Sequence, residues 1–333
     1  MATKKQVEER LDEVLIPQAM RSVMQLNLLR SVDIDGGKMK VTLSAAAIST
    51  EVQEWLRGKM KTELQGLPEI DEVTVDFEQS TPKEINRVDK VVAVMSGKGG
   101  VGKSLVTSLL ALAMARQGRA VGILDADVTG PSIPKMFGIK TRPGGSETGI
   151  LPVLSRAGIE IMSINLLLPK EDDAVIWRGP LLAKSITQFW EEVLWGKLDY
   201  LLVDLPPGTA DVPLTVMQSL PLSGVIIAFT PQDLTAMVVR KAINMARQMN
   251  IPILGVVENM SYFVIPKTGK KIEIFGPSKG GEMAKVAGVP LLGQIPLDPE
   301  LAKLCDEGNI ESYDSEVFKD FQAAATRILS AGK

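Results

Sequence analysis

The chain has 333 residues, 45% of them hydrophobic, and a formal net charge of −3. That length suggests about two domains with room for a real core, and the charge balance offers no electrostatic footprint for a nucleic acid. Cys305 is the single cysteine and histidine is absent, which excludes an intramolecular disulfide. No signal pattern opens the chain and no apolar run nears the roughly 20 residues of a spanning helix, so a cytoplasmic protein without membrane or nucleic-acid partners is expected.

Residues 1–78 read as a separable, small α+β domain. KKQVEERLDEVLI, 4–16, is a charged amphipathic helix with its stop at Pro17. An Asp-Gly-Gly turn at Asp35–Gly37 precedes an alternating strand, 38–43. Residues 49–64 form a helix, with Ser49 or Thr50 as its N-cap. VTVDF, 73–77, is another strand. Residues 79–88, QSTPKEINRV, are polar and read as a linker. From 89 to 333 apolar strands alternate with helices. The strands fall at 91–95, 120–124, 159–163, 200–204, 224–229 and 253–257, with a further one near 291–295. This is the pattern of an α/β, doubly wound, mostly parallel sheet with helices on both faces. Ligands then bind beyond the carboxyl ends of the strands.

Residues 91–104, VVAVMSGKGGVGKS, organise that domain. A buried strand runs into Gly97, Lys98, Gly99, Gly100, Val101, Gly102, Lys103 and Ser104, and a helix ending at Gly118 follows. Strand, glycine loop and helix form a Walker A site. Its glycines let backbone N–H groups converge on a triphosphate. Lys103 is expected to reach the β/γ-phosphates, and Ser104 to ligate Mg²⁺. Lys98 is a second lysine where Lys103 already serves. It is useful if it reaches into a partner's site, as an arginine finger does. AVGILDADVTGPS ends a strand in two carboxylates, Asp125 and Asp127. DYLLVDLPPGTAD supplies Asp204 as a second magnesium-side carboxylate. Gly208 can turn its N–H to the γ-phosphate, and Asp211 closes the motif.

The string GKGGVGKS resembles the deviant Walker A ATPases, the group of MinD, ParA, the nitrogenase iron protein and Mrp. DxDxxGPS, IWRGP (176–180), ENMSYF and the small N-terminal domain make the chain similar to the Mrp (ApbC-type) branch. The resemblance implies an ATP- and Mg²⁺-dependent homodimer with ATP sandwiched at the interface, where Lys98 crosses to the other subunit's nucleotide. It implies that Asp127 orients the attacking water and Asp125 helps hold the Mg²⁺ shell. Asn259 would read the adenine edge, and Pro296 and Asp298 would lie on the adenine side. It implies iron–sulfur client or assembly proteins as partners. Arg178 receives no role.

The chain departs from this family at one point. The family's Cys-Pro-x-Cys, the site of an iron–sulfur cluster, is replaced by Ile265 through Thr268. A reactive cysteine is also missing from SAAAIS, 44–49. An ATPase without a stable cluster of its own is expected, with Cys305 as a structural thiol on a helix. The alternative is a MinD/ParA-like spatial organiser acting by partner or surface binding. The amphipathic tail, SEVFKDFQAAATRILS, carries mixed charges and is expected to pack on the ATPase domain. A nitrogenase-like reductase is excluded by the thiol count.

Overall fold

The computed structural model describes residues 3–127, 130, 132–168, 179–209 and 211–330. Arg178 and Pro131 lie outside the described residues, as does the side chain of Asp211. The chain forms two compact units, one of Met1–Val88, Arg142–Leu154 and Gln188–Leu198, the other of Asp89–Thr141, Ser155–Thr187 and Asp199–Lys333.

The first unit is built on a three-stranded sheet. Leu29–Asp35 pairs antiparallel with Lys38–Ser44, which pairs parallel with Glu72–Glu78. The Asp35–Gly37 turn forms as read, with Gly36 and Gly37 both at positive φ. Ser49 caps the helix Thr50–Leu64 by accepting from Val52 N–H. Leu56, Met60 and Leu64 of that helix are buried in the unit's apolar core.

Two expectations for this region are corrected. The first helix spans Lys4–Asp12, short of Ile16. Leu15–Ile16 instead pairs antiparallel with Arg21–Ser22, and Pro17 sits in the intervening turn. Residues 79–88 are folded into the unit rather than linking it onward. Thr81 opens a capping box on the short helix Pro82–Ile85, and Ile85 is buried.

The segments 142–154 and 188–198, expected in the ATPase domain, also belong to the first unit. Thr148 Oγ1 accepts from Ala47 N–H at 3.0 Å. Asn86 donates from its amide to Val193 O at 2.9 Å and accepts from Gly196 N–H at 3.0 Å. Leu151 and Leu194 complete the core. Hydrophobic periodicity carries no information about which sheet a distant segment will join.

In the second unit the strands lie in the spatial order Glu160–Ser163, Val121–Asp125, Lys197–Asp204, Arg87–Met95, Gly224–Phe229, Ile253–Glu258 and Leu291–Gln294. Glu160–Ser163 and Lys197–Asp204 each pair in parallel with Val121–Asp125, and the strands from Arg87–Met95 to Leu291–Gln294 pair in parallel in turn. The central strands are continuous apolar runs because helices cover both faces. All expected strands are present, within a few residues at their ends. The loop after Arg87–Met95 and the switch segments after Val121–Asp125 and Lys197–Asp204 therefore emerge at one edge of the sheet.

The tail helix Glu316–Ser330 packs against the P-loop helix Lys103–Ala115, as its mixed charge suggests. Phe318 and Phe321 are buried, and Arg116 stacks its guanidinium over the Phe318 ring at 4.5 Å. Gly293 is needed beneath it: a Cβ there would come within 2.8 Å of the Phe321 ring. Among the described residues no helix is long and apolar enough to cross a membrane. Phe321→Ala is expected to cost about 3–5 kcal/mol in urea unfolding. A loss below about 1 kcal/mol would show that the tail is not part of the core.

Candidate functional site

Gly102 caps the helix Lys103–Ala115 from the left-handed region, φ 76° and ψ 34°, which glycine adopts without the penalty a Cβ brings. A Cβ there would also fall 2.1 Å from Asn259 Nδ2. Gly100 likewise has φ 77°. The loop bends around a cavity of about 240 Å³ lined by Gly99, Lys103, Ser104, Asp127, Ser132 and Pro207. The N–H groups of the helix's first turn have no intrahelical acceptors, and the helix dipole adds positive potential there. This makes the cavity an anion site.

At its floor stands a buried charge cluster. Lys103 is 5% exposed; its Nζ lies 2.8 Å from Asp204 Oδ1 and 3.5 Å from Asp127 Oδ2. Neither contact is aligned as a hydrogen bond, so the ammonium is charge-compensated but not satisfied. An anion entering the loop would supply the missing acceptors. Asp204, wholly buried, accepts from Ser104 Oγ at 2.5 Å and from Thr107 Oγ1 at 2.8 Å. Asp125 accepts from Ser163 Oγ at 3.1 Å and from Asp127 N–H at 3.2 Å. Burial, and then the charge of Asp204, push the Asp125 carboxyl well above its usual range.

Ser104 and Asp204 side by side fit a small divalent cation, which takes one or two protein carboxylates and completes its shell with water and phosphate. A cation bound there would also relieve the repulsion between Asp125 and Asp204. Thr107 was missed in the sequence. It lies four residues after Lys103, on the same helix face, which is a readable signal. Ser163 carries none.

The switch loop is tied to the P-loop. Gly208, at φ 98°, donates its N–H to Ser96 O at 3.0 Å. The donor expected at the γ-phosphate is thus engaged within the protein here. Only a glycine makes that backbone turn cheaply.

The adenine-side expectations fare differently. Asn259 is buried, and its amide donates to Val101 O at 2.8 Å, which fastens it to the P-loop. Asp298 caps the helix Pro299–Asp306, accepting from Glu300 N–H at 2.9 Å and from the Tyr313 hydroxyl at 2.8 Å. Pro296 is buried beside it in sequence. These contacts give Asn259 and Asp298 structural work that their sequence context did not reveal.

Beside Asn259, Glu258 is a fully buried carboxylate that sequence reasoning missed. It accepts from Ser261 and Ser278 hydroxyls at 2.6 Å each, from Lys279 N–H at 2.7 Å and from Gln294 Nε2 at 2.8 Å. It holds both roots of the segment carrying the hairpin Phe263–Val264 and Lys271–Ile272. Ile265 and Thr268 stand on that hairpin's turn, where Ile265 N–H donates to Lys270 O at 2.9 Å.

Cys305 is half-buried on the helix Pro299–Asp306, and burial together with Asp306 pushes its thiol up to about 11. Among the described residues no group of three or more His, Cys, Asp and Glu side chains is arranged to hold a metal.

The family described as NUBPL iron-transfer P-loop NTPase matches residues 87–329, and that described as iron-sulfur cluster assembly protein matches residues 4–77. An iron-sulfur cluster carrier protein of Aquifex aeolicus is 41% identical over 310 residues, covering 84% of this chain and 85% of that protein. The Synechocystis protein of the same description is 37% identical and covers 95% and 94% respectively. A solved nucleotide-binding protein from Archaeoglobus fulgidus, in complex with ADP, superposes with a TM-score of 0.64 at 49% identity, covering 70% of this chain and 92% of that one. The MinD cell division protein of Aquifex aeolicus, at 18% identity and TM-score 0.53 over 72% of this chain and 97% of that one, shares the fold. The chain belongs to the iron–sulfur cluster carrier family of P-loop NTPases, the Mrp type, with a MinD/ParA-like fold and an N-terminal iron–sulfur assembly domain.

Proposed function

We propose that this protein is a Mg²⁺-dependent ATPase that works as a nucleotide-switched homodimer in iron–sulfur cluster delivery or assembly. The observation that carries the reading is the buried, unsatisfied ammonium of Lys103, set in a glycine loop beside Asp204, Ser104 and Thr107. Burying a charged group without full hydrogen bonding is costly, and a bound phosphate offsets that cost. Ser104, with Asp204 and Asp125 behind it, would hold Mg²⁺, which supplies charge neutralisation at the phosphates. Asp127, 3.5 Å from the Lys103 ammonium, would orient the attacking water. Lys98 serves the partner subunit's nucleotide. The Archaeoglobus relative's ADP complex supports the nucleotide, and the names of the carrier relatives support the client class.

The expected kinetics separate these roles. Lys103→Ala abolishes ATP binding in calorimetry, with thermal unfolding checking that the variant is folded. Lys98→Ala retains ATP binding within a few-fold but loses hydrolysis and ATP-dependent dimerisation. Equal loss of affinity in both variants would reject the role of Lys98 in trans. Asp127→Ala accumulates an ATP-bound dimer, and rapid turnover by it would remove Asp127 as the water-orienting group.

The cargo poses a separate question, because four-iron clusters are ordinarily held by four thiolates. This chain offers one cysteine per protomer, hence two per homodimer, and no histidine. Cys305 is moreover held in the thiol form. The cluster's ligands therefore come in part from a client or a small thiol. Anaerobic reconstitution of the purified homodimer is expected to leave no stable, stoichiometric cluster. The double change Ile265→Cys with Thr268→Cys is expected to create one. Stoichiometric iron and sulfide on the wild type, unchanged in Cys305→Ser, would overturn this assignment.

A further inference from the structure

Lys98 does not point into open solvent. Its Nζ donates to Gln232 Oε1 at 2.7 Å, and the side chain is half-buried. Gln232 is the N-cap residue of the helix Asp233–Gln248, yet its side chain makes no capping bond to that helix. Its amide oxygen is spent on the lysine.

The surrounding geometry holds the two residues together. A Cβ on Gly97 would lie 2.2 Å from Val238 Cγ1 and 2.6 Å from Val238 O, so the loop is pressed directly onto that helix. Ser96 Oγ donates to Lys98 O at 2.9 Å, and Gly208 N–H donates to Ser96 O at 3.0 Å. The backbone at Lys98 is therefore tied, through Ser96, to the switch loop. Among the described residues the Lys98 ammonium makes one hydrogen bond, to a neutral amide.

We infer that Gln232 is a seat for Lys98 in the nucleotide-free protomer, and that it sets how much ATP is needed before two protomers close. The inference rests on the reading that Lys98 acts across the dimer interface. A seated lysine must leave Gln232 before it can serve a second subunit, so the bond subtracts from the free energy of dimerisation. A neutral acceptor makes the seat weak enough to be released by a phosphate, which binds an ammonium more strongly. A carboxylate at the same place would form an ion pair and hold the lysine back. Gln232 is thus a positioning residue that acts through Lys98, with no contact of its own to the reacting atoms required.

The test uses the full chain with Gln232→Ala and Gln232→Glu. ATP-dependent dimerisation is followed by sedimentation velocity, and ADP binding to the monomer by calorimetry. Gln232→Ala is expected to lower the ATP concentration at the dimerisation midpoint about threefold, and Gln232→Glu to raise it about tenfold, magnitudes suited to a half-exposed bond to a charged group. ADP affinity should stay within about twofold in both, which a general disturbance of the P-loop would not allow.

Midpoints that move in the same direction, or an Ala variant indistinguishable from wild type, would overturn the inference. The Ala variant also separates a seat from simple repulsion of phosphate by a new carboxylate, because it introduces no charge. Lys98→Ala tells the two levels apart. If it dimerises and hydrolyses normally, the trans role fails and the seat with it. If it is inactive while both Gln232 variants behave as wild type, the seat alone is wrong.

Discussion

A lysine ammonium buried against a buried aspartate is the constraint on which this site is built. Lys103 and Asp204 compensate each other in a place where neither could stand alone. The pair fixes the first turn of the P-loop helix against the end of a central strand. Ser104 and Thr107 are then presented to the same carboxylate. Two more carboxylates, Asp125 and Asp127, crowd one cation. The described cluster is therefore short of positive charge, which a metal ion would relieve, and the loop N–H groups beside it suit an anionic ligand.

Much of this was legible in the residues. GKGGVGKS between a β-branched run and an amphipathic segment fixes strand, loop and helix because glycine, lysine and hydroxyl each meet a separate physical demand at a set spacing. Asp125, Asp127 and Asp204 were legible as residues just past apolar strands. Asn259 lies against the P-loop, and its amide bond to Val101 O is a contact its sequence context does not announce. Glu258 receives no role from the sequence, since nothing local announces the four donors that converge on it from residues 261 to 294. Gln232 was silent for the same reason, being defined by a partner 134 positions away. Long-range pairing is what a window of sequence does not contain.

Family membership and thiol content bear on different parts of the work. The proposed nucleotide switch calls on no thiol, and the lysines, hydroxyl and carboxylates it draws on are present in this chain. Cluster ligation needs several thiolates, and one raised thiol on a helix cannot provide them. The hairpin turn at Ile265 and Thr268 keeps its backbone hydrogen bonds and its rooting on Glu258. Scaffold and ligands are thus separable: the hairpin is retained by buried polar contacts that are indifferent to what its tip coordinates.

The composition of the first unit has a consequence for the order of synthesis. Its core needs Leu151 and Leu194 as well as the first 88 residues. When residue 78 leaves the ribosome, the strands Leu29–Asp35, Lys38–Ser44 and Glu72–Glu78 and most of their apolar partners are available, but Ile85, Leu151 and Leu194 are not yet made. At 5–20 residues per second, the interval before residue 198 emerges is roughly ten seconds. For that time the nascent N-terminal unit exposes part of its interior. A truncated fragment ending near residue 78 would carry the same exposed surface permanently.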